Sequence, residues 1–324
     1  MEAHELGGSG IAVTRIVLGC GNFGGIGSAP ELFGSGESRE EAFAIMDAAW
    51  ELGIRAFDTA DAYGGGRSES AIGAWLNTKD ATVRDGVVVT TKTYNPMDAG
   101  LDHGLSRARI LRQVDTSLER LGLERVPIYL AHEFDPETPA EETLGAFDEL
   151  VRAGKVGAVG ASNFSGEQLA ESLELSTLEG LVRYELVQNA YSLLSREDED
   201  DVFPVVREHG LGYEAFGPLE GGWLTGKYRR GEAPPAGSRM TQRPGPYEHL
   251  RTDTVFDALE AFEAAAADRG VSPAGLALAW CLSHPDLTAV VVGPRRPAHL
   301  EPVREALEQP LSAADRDDVA GLFP

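Results

Sequence analysis

The chain has 324 residues and a formal net charge of −24, with 52 acidic against 28 basic side chains. Such a field repels phosphate backbones and anionic lipid surfaces, so neither nucleic acid nor a membrane is an expected partner. With 42% hydrophobic and 25% charged residues the composition is that of a folded globular protein, and the apolar run at 289–293 is far too short to span a bilayer.

From the amino end, MEAHELGGSG has neither the basic start nor the apolar run of a signal peptide, so a cytoplasmic protein is expected. The first β-rich run, 14–18, leads into Gly19-Cys20-Gly21-Asn22-Phe23-Gly24. That loop matches G-x-G-x-x-G, but the dinucleotide fingerprint needs a helix to open there, and Gly25-Ile26-Gly27-Ser28-Ala29-Pro30 reads as loop instead. The segment is then either a flexible connection or a place where backbone approaches a ligand closely. Helix-like 39–52 precedes the second strand, 55–59, and 68–77 precedes the third, 87–92. Helix-like 106–121, with Ile110, Val114, Leu118 and Leu121 on one stripe, precedes strand 126–132. Then 140–153 precedes strand 156–162, 166–175 precedes 185–189, and 198–209 precedes 212–216. A long connection at 217–251, rich in Gly, Pro and Arg, leads to helix-like 252–269, the last strand 288–293 and helix-like 298–307.

Val87-Val88-Val89 and Val290-Val291-Val292 are unbroken apolar triplets, the mark of strands buried on both faces of a parallel sheet. Eight β–α units without a composition break predict an α/β fold: one (β/α)8 TIM barrel over 1–324, with an open doubly wound sheet as the rival. The 217–251 loop is expected to shape a ligand site at the carboxyl end of the strands. Two cysteines, Cys20 and Cys281, make no disulfide framework. The seven histidines lack ligand spacing, so no protein-held metal is expected.

Polar residues of complementary type close three successive strands. Asp58 ends the second strand and Tyr63 lies just beyond it, Lys92 ends the third, and His132 ends the fourth. In a barrel all four face one mouth. An ammonium beside a phenol stabilises phenolate and lowers the tyrosine pKa, and a carboxylate keeps that ammonium charged and aimed. An imidazole nearby can donate to the same carbonyl oxygen. Together they can protonate a developing alkoxide. Each residue alone is more often a cap, a packing group or a surface charge.

The chain resembles the aldo-keto reductase family over nearly its whole length. The resemblance is carried by Phe57-Asp58-Thr59-Ala60-Asp61-Ala62-Tyr63-Gly64 with Ser68-Glu69, by Thr91-Lys92, by Tyr129-Leu130-Ala131-His132 and by Gly160-Ala161-Ser162-Asn163-Phe164. It continues through Gln188-Asn189-Ala190-Tyr191 and from Gly217-Pro218-Leu219 to Leu224-Thr225-Gly226-Lys227-Tyr228. It implies a (β/α)8 barrel that binds NADP(H) across its mouth, with Asp58, Tyr63, Lys92 and His132 as tetrad and Tyr63 as general acid. By the same resemblance Ser162, Asn163 and Gln188 hold the nicotinamide carboxamide, as short hydroxyl and amide groups can. Gly21, Asn22, Phe216, Gly217, Pro218, Leu219, Lys227 and Gly293 complete the implied cofactor contacts.

Two departures stand out. Phe216 occupies the place of the tyrosine that usually stacks on the nicotinamide, and a ring face suffices for stacking. After the last strand, Pro302 and Val303 replace a usual Glu-Asn pair on the adenine side, while Arg295, Arg296 and His299 remain for the ribose phosphate. Phe23, Tyr94, Phe134 and Trp223 are candidate substrate walls. The tail after Leu311 lacks the long closing loop of many animal relatives, which fits an open mouth for a broad or bulky substrate. The expected activity is NADPH-dependent reduction of an aldehyde or ketone by a monomer or homo-oligomer. An NAD(P)-linked sugar or steroid dehydrogenase and a cofactor-sensing regulatory subunit are the alternatives.

Overall fold

A computed structural model describes residues 1–97 and 102–324. An antiparallel hairpin comes first, β1 (Ala3–Glu5) with β2 (Ala12–Thr14). Eight parallel strands then close a barrel: β3 (Ile16–Gly19), β4 (Ala56–Asp58), β5 (Val88–Thr93), β6 (Val126–Ala131), β7 (Val156–Ser162), β8 (Leu186–Ala190), β9 (Gly212–Phe216) and β10 (Ala289–Val292). Each strand pairs with its successor, and β10 returns to β3 with Val290 beside Ile16. With helices between the strands, this is a (β/α)8 TIM barrel.

The strands form where the sequence is apolar on both faces, because each has barrel interior on one side and helices on the other. Outside, Ile45, Phe57, Trp75, Val114 and Phe147 belong to the large core cluster between sheet and helices. Inside and below, Leu6, Val13, Val17, Ala56, Ile128, Leu130, Leu186 and Ala289 fill the lower barrel. The hairpin contributes Leu6 and Val13 to that cluster, so it plugs the amino-terminal end. Helix starts follow local chemistry: Ser38 and Ser165 each form a reciprocal capping box, with Glu41 and Gln168 respectively.

Three elements differ from the sequence reading, one of them the six-residue helix Ala81–Gly86 between the expected 68–77 and 87–92. The run at 14–18 is two elements, since Arg15 separates the hairpin from the barrel strand and turns its guanidinium to the carbonyls of Leu282, Leu287 and Thr288. A helix over Pro273–Leu282 also went unread. Eight of its residues are buried, so it has no polar face and no periodic stripe to betray it. The Gly19–Gly24 segment opens no helix; the next element is the short 3₁₀ turn Pro30–Leu32. The 217–251 connection carries two short 3₁₀ segments and one turn of helix, Arg239–Gln242.

Candidate active site

Asp58, Lys92 and His132 sit at or just past the carboxyl ends of β4, β5 and β6, and Tyr63 stands on the turn after β4. The barrel register brings them together. Lys92 Nζ lies 2.7 Å from Asp58 Oδ1, 2.9 Å from the Thr59 carbonyl and 3.5 Å from Tyr63 Oη. Tyr63 Oη is 3.4 Å from His132 Nε2. Gly21 lies against the phenol: a Cβ at that position would stand 3.4 Å from the Tyr63 ring, an ordinary contact.

Burial and charge act against each other at each group. Burial alone would depress the Lys92 ammonium, but Asp58 and then Tyr63 bring it above its ordinary value. His132 falls well below its usual value, through burial first and the Lys92 charge second, so the imidazole is neutral. The sequence reading expected Lys92 to bring Tyr63 below a normal phenol. Lys92 does pull in that direction, but burial is the larger effect and the net shift is upward. Tyr63 thus keeps its proton at neutral pH.

Under this group lies a carboxylate the sequence reading passed over. Gln188 Nε2 donates to Asp58 Oδ2 and to Glu214 Oε2, both at 2.9 Å. Glu214 is fully buried on β9 and is pushed up to about 7 by burial and by Asp58. Its only sequence signal was an acid inside an apolar strand. Asn95 is a second omission: its Nδ2 lies 3.2 Å from His132 Nδ1.

Ser162, Asn163 and Gln188 have complementary free valences. Asn163 Nδ2 donates to the His132 carbonyl and to Ser162 Oγ. Gln188 Nε2 is committed to its two carboxylates, so its Oε1 is left to accept and the Ser162 hydroxyl hydrogen is left to donate. One acceptor and one donor match a carboxamide. Asn163 itself adopts a left-handed backbone, φ 59°. Phe216 is half-buried at the end of β9, followed by Gly217 at φ 69° and by Pro218 and Leu219.

On the other side of the mouth positive charge collects. Lys227 is lowered by burial and then by Arg239 and Arg295, and His299 by burial and then by Arg296, Lys227 and Arg295. Arg296 Nε is 2.9 Å from His299 Nε2, and Gly293 precedes the segment. Arg239, also unforeseen, donates to Asn22 Oδ1 at 2.6 Å. Arg295 is less available than the sequence reading assumed. Its Nε is 2.6 Å from Glu37 Oε1, and its Nη1 donates to the Gly237 carbonyl and to Gln242. Arg295 therefore ties the first loop to the long loop, a link invisible in a sequence where Glu37 and Arg295 stand far apart.

The substrate walls divide. Tyr94 and Phe134 are half-buried near the mouth, Phe134 edge-on to Phe164 at 5.5 Å. Phe23 and Trp223 lie deeper, 1% and 2% exposed and packed into the core cluster, and Trp223 also lines a cleft with Tyr228, Met240, Arg251 and Phe256. Both are large apolar rings that the loops fold inward, and Trp223 packs on Tyr228 and Phe256. Among the described residues no group of three or more His, Cys, Asp or Glu is placed to hold a metal ion, and no helix is long and apolar enough to cross a membrane.

The chain is similar to known proteins. The sequence model of the aldo/keto reductase family matches residues 15–322. An uncharacterized oxidoreductase of Bacillus subtilis, YrpG, is 35% identical over all of this chain and 96% of its own length. A putative voltage-gated potassium channel subunit beta of Schizosaccharomyces pombe is 33% identical over 80% of this chain and 77% of its own. The L-glyceraldehyde 3-phosphate reductase of Escherichia coli K12 is 34% identical over 95% of this chain and 88% of its own. With a polar tetrad at the carboxyl mouth of a (β/α)8 barrel and a family match across nearly its full length, the chain belongs to the aldo/keto reductase family.

Proposed function

We propose that this oxidoreductase reduces an aldehyde or ketone to an alcohol with NADPH, and that Tyr63 supplies the proton. The observation that carries the reading is the approach of Lys92 Nζ and His132 Nε2 to the Tyr63 hydroxyl, at 3.5 and 3.4 Å. When bound, the nicotinamide would supply hydride to the carbonyl carbon. Tyr63 would give its proton to the carbonyl oxygen, and the resulting phenolate would rest against the Lys92 ammonium. Asp58 holds Lys92 charged. Ser162, Asn163 and Gln188 would hold the carboxamide, and Phe216 would offer a ring face to the nicotinamide. Lys227, Arg239, Arg296 and Arg295 would meet the phosphates; the first three form no ion pair among the described residues, which suits an anion. Gly21, Asn22, Gly217, Pro218, Leu219, Gly293 and His299 would line the same groove. Phe23, Tyr94, Phe134 and Trp223 would wall the substrate. A cytoplasmic location suits the two buried free thiols.

The test is Tyr63→Phe. Carbonyl reduction should fall by about 10²–10⁴-fold, the usual worth of a general acid, with NADPH affinity near wild type. Turnover within tenfold of wild type would remove Tyr63 from the role. The similarity to a potassium channel subunit favours a second reading, a cofactor-sensing regulatory subunit. A panel of aldehydes, ketoses and hydroxysteroids with both cofactors separates the two, since a sensor would bind cofactor without turning over any of them.

A further inference from the structure

One contact at the tetrad plays no part in the proton transfer just described. Asn95 Nδ2 faces His132 Nδ1 at 3.2 Å. An amide nitrogen has only hydrogens to offer, so the ring nitrogen opposite it is the bare one. His132 is neutral, for the reasons of burial and charge given above. A neutral imidazole with bare Nδ1 carries its one hydrogen on Nε2. Nε2 is the nitrogen that faces Tyr63, at 3.4 Å.

We propose that Asn95 is a positioning residue that holds His132 as the Nε2–H tautomer and so makes the imidazole a hydrogen-bond donor towards Tyr63 and the substrate oxygen. The inference rests on Tyr63 being the acid. Its consequence for the phenol follows from counting hydrogens. Lys92 can only donate, and it lies 3.5 Å from Tyr63 Oη. With His132 donating from the other side, the phenol oxygen accepts twice and its own hydrogen is left for the carbonyl oxygen. In the opposite tautomer a bare Nε2 would accept that hydrogen, and the acid would be engaged before substrate arrived. When the proton leaves, the Tyr63 O–H bond breaks, a substrate O–H bond forms, and the phenolate keeps both donors.

The positioning residue is itself held. Its backbone carbonyl accepts from Arg109 Nη2 at 2.7 Å. Arg109 is 1% exposed, donates from Nη1 to Thr93 Oγ1 at 2.5 Å, and lies 3.6 Å from Asp61 Oδ2. Among the described residues, the charged and titratable groups near the imidazole are Lys92 at a neighbouring strand end, Tyr63 on the turn after β4, Asp58 beyond Lys92, and Glu133 next along the chain. His4 and His284 have a carboxylate within ion-pair distance, and among the described residues His132 does not, so no described acid competes with Asn95 for Nδ1.

Nitrogen-15 NMR of histidine-labelled protein reads the tautomer directly, with the His132 signals assigned by their loss in His132→Gln. We expect hydrogen on Nε2 and a bare Nδ1 in the wild type, and a mixture in Asn95→Ala. A wild-type spectrum with hydrogen on Nδ1 overturns the proposal. Asn95→Ala should lower kcat by about ten- to a hundredfold, as partial loss of one donor to a developing oxyanion does, and leave the Kd for NADPH unchanged. An unchanged kcat also overturns it. If that variant does not fold, the wild-type spectrum decides alone. Tyr63→Phe separates the two layers: retained turnover removes the acid reading, whereas lost turnover beside a wild-type Nδ1–H removes only the role of Asn95.

Discussion

Lys92 has no exposed surface and touches Asp58, Thr59 and Tyr63 at once, so one substitution tests both chemistry and stability. In Lys92→Met the phenol loses the cation that opposes the effect of burial, and its pKa should rise further. An acid works only while protonated, so the alkaline limb of the pH–rate profile should move to higher pH while the rate at neutral pH falls. Asp58 would be left buried without its partner, at a cost of about 3–5 kcal/mol, so Tm should fall as well. An alkaline limb that stays in place would show that Lys92 does not tune the acid. Asp58, Lys92 and His132 were legible because each is a polar residue ending an apolar run. Asn95, Glu214 and Glu37 were not, since their meaning lies in contacts with residues on other strands and loops.

At the scale of elements, the 217–251 loop is fastened to the first loop by Arg239 on Asn22, and Arg295 bonds Gly237, Gln242 and Glu37. Arg239→Ala should therefore speed limited proteolysis within 229–237, and NADPH should slow it again; cleavage at wild-type rate would mean that the fastening lies elsewhere. For cofactor choice, the double variant Arg295→Ala, Arg296→Ala should lose roughly ten- to a hundredfold in NADPH affinity by fluorescence titration, with NADH little changed, because a hydrogen bond to a charged group contributes about 1.5–3 kcal/mol. A wild type that prefers NADH, or a double variant that keeps its preference, would make these arginines structural clasps only. The barrel elements were readable from alternating apolar runs and stripes, and the strand boundaries lie within a few residues of the expected ones. What escaped was the helix that is apolar all round, the short helix Ala81–Gly86, and the hairpin that shares its last residue with the first expected strand.

For the molecule as a whole, two buried carboxyls make stability depend on pH. Burial raises Asp61 and Glu214 to about 7, although Arg109 counters it at Asp61 and the Gln188 hydrogen bond at Glu214. Between about pH 4 and 7 the folded protein holds these protons and the unfolded chain has released them. Their stabilising contribution is therefore full below the unfolded pKa and is lost as pH rises through 7. Tm should fall between pH 5 and pH 8, and Glu214→Gln should shrink that fall. Identical slopes in variant and wild type would mean that Glu214 is ionised throughout. The net charge of −24 was legible at once, but which acids are uncharged in the interior depends on burial, which composition does not report.

The seam between β3 and β10 bears on how the molecule is made. The first barrel strand pairs on one side with β4 and on the other with the last strand, and Arg15 bonds the carbonyls of Leu282, Leu287 and Thr288. During synthesis from the amino end, one edge of β3 has no partner until nearly the whole chain has left the ribosome. Until then the nascent barrel is an open sheet with apolar strands and a bare edge, the form most prone to pair with another chain. Closure is a late, long-range event, so the seam should be the place where slow translation or a shortage of chaperones first shows itself as aggregation.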